Sequence, residues 1–177
     1  MLQKQNAMRY LHIKNVTAKA WFATEGGIKY RYRLDITKVG ASTPPKTVCV
    51  VMQNPSYAGE KEADKSVQFI EKNVFELGLT EFKGVERLIV VNQFARIQTT
   101  GFTGLPSDLG TKNNKAIKAA LEESEIIVIG WGTSNGFEAR KDFVFSLLKR
   151  MHGKQLYKTK MHPSRGRYAG FILPLSI

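Results

Sequence analysis

Cysteine and histidine are scarce in this sequence, and their scarcity excludes two common kinds of metal site. Cys49 is the one cysteine among 177 residues, so neither an internal disulfide nor a cysteine-based zinc site can form. The three histidines, His12, His152 and His162, are not arranged as an HExxH pair, which disfavours a zinc hydrolase. We therefore expect no metal and no cofactor, and we interpret Cys49 as an inert packing residue in an apolar run.

The sequence also lacks the glycine-rich phosphate-binding motifs and any long apolar run. It contains no GxxxxGK[ST] loop and no GxGxxG turn after a strand. No apolar stretch approaches the ~18 residues of a membrane span. The first residues, MLQKQNAMRYLHIK, lack the apolar block of a signal peptide. These absences lead us to expect a cytoplasmic protein with no membrane partner.

Acidic residues are few relative to basic ones. The chain has 27 Lys and Arg against 15 Asp and Glu, a net charge of +12 and a pI near 9.9. Residues 1–46 and 111–177 each carry a net charge of +7, and residues 47–110 carry −2. If the two basic ends meet on one face, that face can follow a phosphate backbone, and the expected partner is nucleic acid, DNA before RNA, or a nucleotide. If they lie on opposite sides, the charge is only a solvated surface.

The N-terminal quarter of the chain is typical of a β-hairpin. Residues 16–24 and 28–38 are rich in aromatic and β-branched residues, and the Gly-Gly pair between them permits a tight turn. Strict alternation along the second strand would put three apolar side chains on one face and two arginines on the other: Tyr30, Tyr32 and Leu34 against Arg31 and Arg33.

Apolar runs alternate with amphipathic stretches in the rest of the chain. Four runs read as buried strands: 47–52, 87–92, 125–131 and 156–160. Helical spacing marks three stretches between or after them: 64–79, 111–123 with Thr111 as its cap, and 136–151. The pattern predicts a three-layer α/β/α fold with a central, mainly parallel sheet of about four strands. We expect a single domain, with residues 1–46 as a hairpin extension to a core over residues 47–177.

Ligands of a parallel sheet bind beyond the carboxyl ends of its strands. Four polar or aromatic segments follow the apolar runs, at residues 53–56 (QNPS), 92–94 (NQF), 131–134 (WGTS) and 162–164 (HPS). The sequence therefore predicts a site where these four loops converge.

The order of these loops resembles a known group of proteins. Residues 47–177 resemble the uracil-DNA glycosylase superfamily, and resemble more closely a bacterial domain family of unknown function whose members read M-L-N-P-S, an acidic pair, V-N-L-F-A, W-G and H-P. The matching segments here are VVMQNPSYAG (50–59), Asp64, LIVVNQFAR (88–96), IIVIGWG (126–132) and KMHPSRGRYAGF (160–171). The resemblance implies a uracil-DNA glycosylase-like fold, with base recognition or N-glycosidic hydrolysis on nucleic acid or a nucleoside as its function.

The resemblance also implies roles for individual residues. Asn54 falls where glycosylases position the attacking water, and His162 falls where they stabilise negative charge on the departing base, so these two are the implied catalytic residues. Asn92 matches the asparagine that reads the edge of a flipped base. The implied substrate-binding residues are Gln53, Pro55, Ser56, Tyr57, Asn92, Phe94, Trp131 and Ser164. The implied phosphate contacts are Lys158, Lys160, Arg165 and Arg167.

Simpler interpretations stay open for several of these residues. Residues 54–56 can form a plain turn, Asp64 is favoured as a helix cap, and Trp131 is favoured as core packing. Asn54 can orient a water but cannot take its proton, so slow chemistry or none is expected. Three functions follow: an N-glycosylase-like hydrolase, a non-catalytic nucleic-acid-binding module, and a small-molecule nucleotide-binding protein. All three require Asn54, Asn92 and His162 to face one cavity.

Overall fold

The secondary structure comes from a computed structural model, which describes residues 9–133 and 136–177. Within these residues, seven strands form one sheet and three α-helices pack on it. The strands are β1 (Val16–Glu25), β2 (Ile28–Lys38), β3 (Thr47–Met52), β4 (Arg87–Asn92), β5 (Ile126–Ile129), β6 (Gln155–Thr159) and β7 (Ile172–Pro174). The helices are α1 (Lys65–Phe75), α2 (Asn113–Glu122) and α3 (Glu138–Leu148). None of these described helices is long and apolar enough to cross a membrane.

The sheet is mixed, with parallel strands at its centre and antiparallel strands at both edges. Its order is β1-β2-β4-β3-β5-β6-β7. The neighbours β4, β3, β5 and β6 pair in parallel, whereas β1 with β2, β2 with β4 and β6 with β7 pair antiparallel. The carboxyl ends of the four parallel strands therefore lie at the same end of the sheet.

The predicted fold class was wrong. A four-stranded, mainly parallel core with a separate hairpin was expected, but β2 pairs directly with β4, with Leu34 opposite Val90 and Ile36 opposite Leu88. The hairpin joins the sheet because Leu34 and Ile36 become fully buried there, and because it covers the edge that β4 would otherwise expose. The result is one seven-stranded mixed sheet, mostly antiparallel on its N-terminal side.

Alternate residues of the central strands pack into two cores on opposite faces of the sheet. On one face, Val48 packs in a cluster with Ile70 of α1. On the other face, Cys49 packs with Ile117 of α2 and Val144 of α3. Every residue of β3 is buried, as the apolar run predicted. Burial also raises the pKa of the Cys49 thiol far above its ordinary value, which keeps it protonated and unreactive.

A β-bulge in β2 changes which side chains share a face. Pairing with β1 skips Tyr32, which becomes an extra residue between Arg31 and Arg33. Tyr30 and Tyr32 consequently pack in a small cluster of their own, apart from the cluster that holds Leu34. The strict alternation predicted for this strand was therefore wrong, and Arg31 is buried rather than solvated.

The start of α1 was predicted well and the start of α2 was not. Asp64 caps α1, because its side chain accepts a hydrogen bond from the backbone N–H of Val67 at 2.9 Å. Thr111 does not cap α2; its hydroxyl donates instead to the carboxylate of Glu25 at 3.0 Å. The alternative partner is available because the hairpin turn lies beside this loop.

Candidate functional site

A cavity of about 610 Å³ opens at the carboxyl ends of the parallel strands. The loops after all four of these strands contribute to its wall, as does the first turn of α1. The lining includes residues 52–57, 64–66, 98–99, 131–133 and 161–162. Convergence at this end of the sheet follows from the parallel pairing of β3–β6.

The loop after β3 is tied to the loop after β4 by the side chain of Asn54. Its Nδ2 donates to the carbonyl of Gln98 at 2.7 Å and to the carbonyl of Pro55 at 3.3 Å. Among the described residues, its Oδ1 accepts only a long hydrogen bond, 3.4 Å, from Gln53 Nε2. Asn54 therefore lines the cavity with an oxygen that can accept a hydrogen bond from a water or ligand.

His162 lines the same cavity in a fixed orientation. Its Nδ1 accepts a hydrogen bond from the backbone N–H of Ser164 at 3.2 Å and lies 2.9 Å from the Ser164 hydroxyl. Burial lowers the pKa of His162, and Arg165 lowers it further against the opposing effect of Asp64. The ring is therefore neutral near pH 7, and the acceptor role of Nδ1 assigns the proton to Nε2. Nε2 has no hydrogen-bond partner in the described parts of the chain, so it can donate to a ligand.

Asp64 brings a carboxylate to the cavity as well as capping α1. The side chain is 7% exposed and lines the cavity. One oxygen, Oδ1, accepts from Val67 N, and no described residue donates to Oδ2. The charge of Asp64 raises the pKa of both Arg31 and His162 against the opposite effect of burial, and all three groups line the cavity.

Arg31 is part of the cavity wall, and sequence analysis did not assign it to the site. The residue is 1% exposed; its Nη1 donates to the carbonyl of Ala58 at 2.8 Å and its Nη2 donates to Asn92 Oδ1 at 3.2 Å. Burial lowers the pKa of Arg31 to about 10, partly offset by Asp64, so the guanidinium is charged at neutral pH. The sequence does show an arginine among the apolar residues of a strand, which could have marked Arg31 as a site residue. The bulge that turns its side chain inward, however, has no recognisable sequence pattern.

Asn92 and Phe94 do not line the cavity. Asn92 is 1% exposed, and its Oδ1 accepts a hydrogen bond from the Arg31 guanidinium. Its backbone carbonyl accepts a hydrogen bond from Asn113 Nδ2 at 3.0 Å. Phe94 is buried edge-to-face against Phe102 and Phe137. Only two of the three side chains expected to share a cavity therefore do so, and Asn92 reaches the site through Arg31. The condition set by the sequence is not met at Asn92, so a function for this cavity has to rest on the residues that do line it.

The other residues implied by the resemblance divide into two groups. Those that line the cavity are Gln53, Pro55, Ser56, Tyr57, Trp131, Ser164 and Arg165. Those that are exposed outside it are Lys158, Lys160 and Arg167. Lining residues that the sequence did not predict are Tyr10, Arg31, Met52, Lys65, Ser66, Gln98, Thr99, Phe102 and Met161. The expected loop at 131–134 is described as far as Thr133; Ser134, in the middle of the GTSNG segment (132–136), lies outside the described residues.

The cavity carries more positive than negative charge. Arg31, Lys65 and Arg165 line it together with one carboxylate, Asp64, among the described residues. Outside the cavity, the strands of the two basic ends of the chain lie apart, because the β1–β2 hairpin and the β6–β7 pair occupy opposite edges of the sheet. No three His, Cys, Asp or Glu side chains within residues 9–133 and 136–177 are grouped so as to hold a metal ion.

The fold and the site together define an α/β protein with a mixed sheet and a ligand cavity at the carboxyl ends of its parallel strands. The chain belongs to the family described as Protein of unknown function (DUF1643), whose model matches residues 31–165. The matched range begins at Arg31 and includes the cavity loops of all four parallel strands. No curated protein and no solved structure matches the chain.

Proposed function

We propose that the cavity binds a nucleobase-bearing ligand, a nucleoside or a nucleotide unit, and hydrolyses its N-glycosidic bond. One observation carries this proposal: the carboxylate of Asp64 and the neutral imidazole of His162 line one cavity, and each has an atom without a hydrogen-bond partner among the described residues. These are the two groups that such a hydrolysis needs, a base for water and a donor for the departing base.

The cavity is suited to a flat heterocycle in size and in lining. Its volume of about 610 Å³ lies within the range of roughly 300–1,000 Å³ typical of small-molecule sites. Tyr57 and Phe102 contribute aromatic rings to the lining, and the Gln53 amide offers both a donor and an acceptor for a base edge. Tyr57 is 47% exposed at the mouth, where a base can stack on it.

The chemistry requires only groups that line the cavity. A water held by Asn54 Oδ1 attacks the anomeric carbon, and one of its protons passes to Asp64 Oδ2. The bond from that carbon to the base nitrogen breaks, and its electron pair leaves with the base. His162 Nε2–H donates a hydrogen bond to the base as negative charge develops on it.

Replacing Asp64 by asparagine separates catalysis from folding. Asparagine caps a helix about as well as aspartate, so the Asp64→Asn variant should keep the thermal stability of the wild type. It cannot take the proton of water, and we expect base release to slow by roughly 100- to 10,000-fold. The measurement is chromatographic detection of released base from nucleosides, nucleotides and oligonucleotides with uracil, mismatched or alkylated bases.

Asp142→Asn is the matched control, because Asp142 is an exposed acid on α3 that lines no part of this cavity. It should release base at the wild-type rate. No base release across the whole panel from folded wild-type protein contradicts the proposal, and so does an Asp64→Asn variant that remains as fast as the wild type.

Binding without chemistry is the second candidate, either as a nucleic-acid-binding module or as a small-molecule nucleotide-binding protein. The favouring observation is that Asn54 Nδ2 is committed to the Gln98 carbonyl, which gives this residue a structural role in joining two loops. This candidate predicts affinity for nucleotides without turnover. Fluorescence anisotropy against salt distinguishes its two forms, because contacts along a phosphate backbone give a steep dependence on log salt and a single nucleotide does not.

A further inference from the structure

We propose that Arg31 anchors an anion site in the wall of the cavity, so that the ligand carries a phosphate or a comparable anion beside its base. The part of this inference that concerns the base rests on the proposed function. The part that concerns the anion site depends on Arg31 and its surroundings. A nucleotide is therefore the expected ligand class, in preference to an uncharged nucleoside.

Arg31 forms no direct ion pair with a described carboxylate, although the charge of Asp64, which lines the same cavity, acts on it from beyond ion-pair distance. Its two hydrogen-bond acceptors, the Ala58 carbonyl and Asn92 Oδ1, are both uncharged oxygens. No carboxylate of the described residues forms an ion pair with it, although Arg33, two residues along the same strand, pairs with Asp35 and Glu123. Buried charges in proteins are usually paired, so an unpaired one in a ligand cavity indicates an anionic ligand.

Two buried donors at this point also lack an acceptor in the described residues. Nε of Arg31 has no hydrogen-bond partner, and neither does Nδ2 of Asn92. Asn92 does not line the cavity and its Oδ1 faces the guanidinium, so its Nδ2 points away from Arg31 and the donor that bears on the proposed anion is Arg31 Nε. Buried polar groups without partners are rare in native structures and mark sites that a ligand or water completes.

The rest of the cavity favours an anion in the same way. Lys65 and Arg165 line it, and they outweigh the single carboxylate of Asp64. The first turn of α1 also lines it through Lys65 and Ser66, and helix N-termini attract anions with their free backbone N–H groups. These groups add to the attraction for an anion, but the buried positive charge at the site is that of Arg31.

Substitution of Asn92 by aspartate tests the inference without removing Arg31. The side chains have the same shape, and the new carboxylate lies where Asn92 Oδ1 is now, 3.2 Å from Arg31 Nη2. It would pair with the guanidinium and neutralise it. A purely structural Arg31 would be unaffected or better held, so thermal stability should stay the same or rise, while an anion-binding Arg31 should lose its ligand.

The probes are inorganic phosphate, a nucleoside and its 5′-monophosphate, each titrated calorimetrically into the full chain. Wild-type protein should bind the monophosphate at least 10-fold more tightly than the nucleoside. Asn92→Asp should reduce that ratio to about 1 and keep the nucleoside affinity. Asn15→Asp is the control for net charge, because Asn15 is exposed just before β1, away from the cavity, and it should keep the wild-type ratio.

Two results overturn the inference: equal wild-type affinity for nucleoside and monophosphate with no phosphate binding, or an unchanged ratio in Asn92→Asp. Failure of the proposed function looks different. If inorganic phosphate binds in an Asn92-dependent way and no nucleoside or nucleotide binds better than phosphate, the anion site stands and the base-bearing ligand is wrong.

Discussion

His12 and His162 show how two histidines of one small protein acquire opposite electrostatic roles. His162 is half-buried, and its desolvation and the charge of Arg165 lower its pKa. Burial also disfavours the charged form of His12, but its hydrogen bonds to the Glu71 carboxylate and the Gly59 carbonyl outweigh that effect, and its pKa is raised. His162 is therefore a neutral donor in the cavity, and His12 is a cation that holds the N-terminal segment against α1.

The two histidines should titrate on opposite sides of the ordinary value of 6.5. A group with a raised pKa stabilises the fold below pH 6.5, and this contribution is lost as the pH rises through the folded-state pKa. The His12–Glu71 pair should therefore weaken above neutral pH. For His162, protonation is disfavoured in the fold, so stability should fall as the pH drops below 6.5.

The measurement is an NMR titration of the imidazole carbon-bound protons, assigned with His12→Gln and His162→Gln variants. A His162 midpoint above 6.5 would contradict its description as a neutral, desolvated donor. A His12 midpoint below 6.5 would contradict the ion pair with Glu71.

At the scale of elements, the loops after β5 and β6 touch at Gly132. Its φ of +87° is a left-handed conformation, and a Cβ added there would lie 3.3 Å from both Cβ and N of His162. Only glycine fits both conditions without strain. Gly132 thereby helps to set the position of His162 in the cavity.

Gly132→Ala should lower the free energy of unfolding by about 1–2 kcal/mol through backbone strain, and should also weaken ligand binding by displacing His162. Gly136→Ala is the matched control, since Gly136 also has a positive φ, +71°, but no described residue beyond its chain neighbours lies within 4 Å of an added Cβ. It should lose stability while binding normally. The measurements are urea denaturation and calorimetric titration of the nucleoside monophosphate. Equal binding by both variants would contradict the role of Gly132 in positioning His162.

Local sequence patterns predicted individual elements better than they predicted their pairing. The apolar runs at 47–52 and 87–92 match β3 and β4 at both ends, because every residue of one and nearly every residue of the other is buried. Strand β7 has three residues and no recognisable pattern. The pairing of β2 with β4 joins residues 50 to 56 positions apart, and such contacts depend on which edge of the folded sheet is available.

The same limit applies to the candidate site. Asn54 and His162 follow predicted strands, so the rule for parallel sheets places them at the cavity. Arg31 reaches the cavity only through the bulge at Tyr32 and the insertion of the hairpin into the sheet. Asn92 ends β4 as expected, but the guanidinium of Arg31 stands between it and the cavity side of the site.

In the whole molecule, the basic residues behind the net charge of +12 lie partly on the exposed edges of the sheet and partly in the cavity. The basic hairpin β1–β2 and the basic pair β6–β7 lie at opposite edges, so these strands do not form one continuous track for a phosphate backbone. The cavity is where charges from the two ends meet, with Arg31 from the hairpin and Arg165 from the segment after β6. Positive charge is therefore concentrated in a cavity about large enough for one nucleotide.

The most direct test of the proposed cavity ligand is a crystal structure of the Asp64→Asn variant soaked with a nucleoside monophosphate, since that variant should bind without turnover. We expect the base inside the cavity between residues of the β3 and β4 loops, with an anionic oxygen about 2.7–3.2 Å from the Arg31 guanidinium. A ligand bound elsewhere on the surface, or a cavity that stays empty at saturating ligand while Arg31 keeps only its Ala58 and Asn92 contacts, would contradict this expectation.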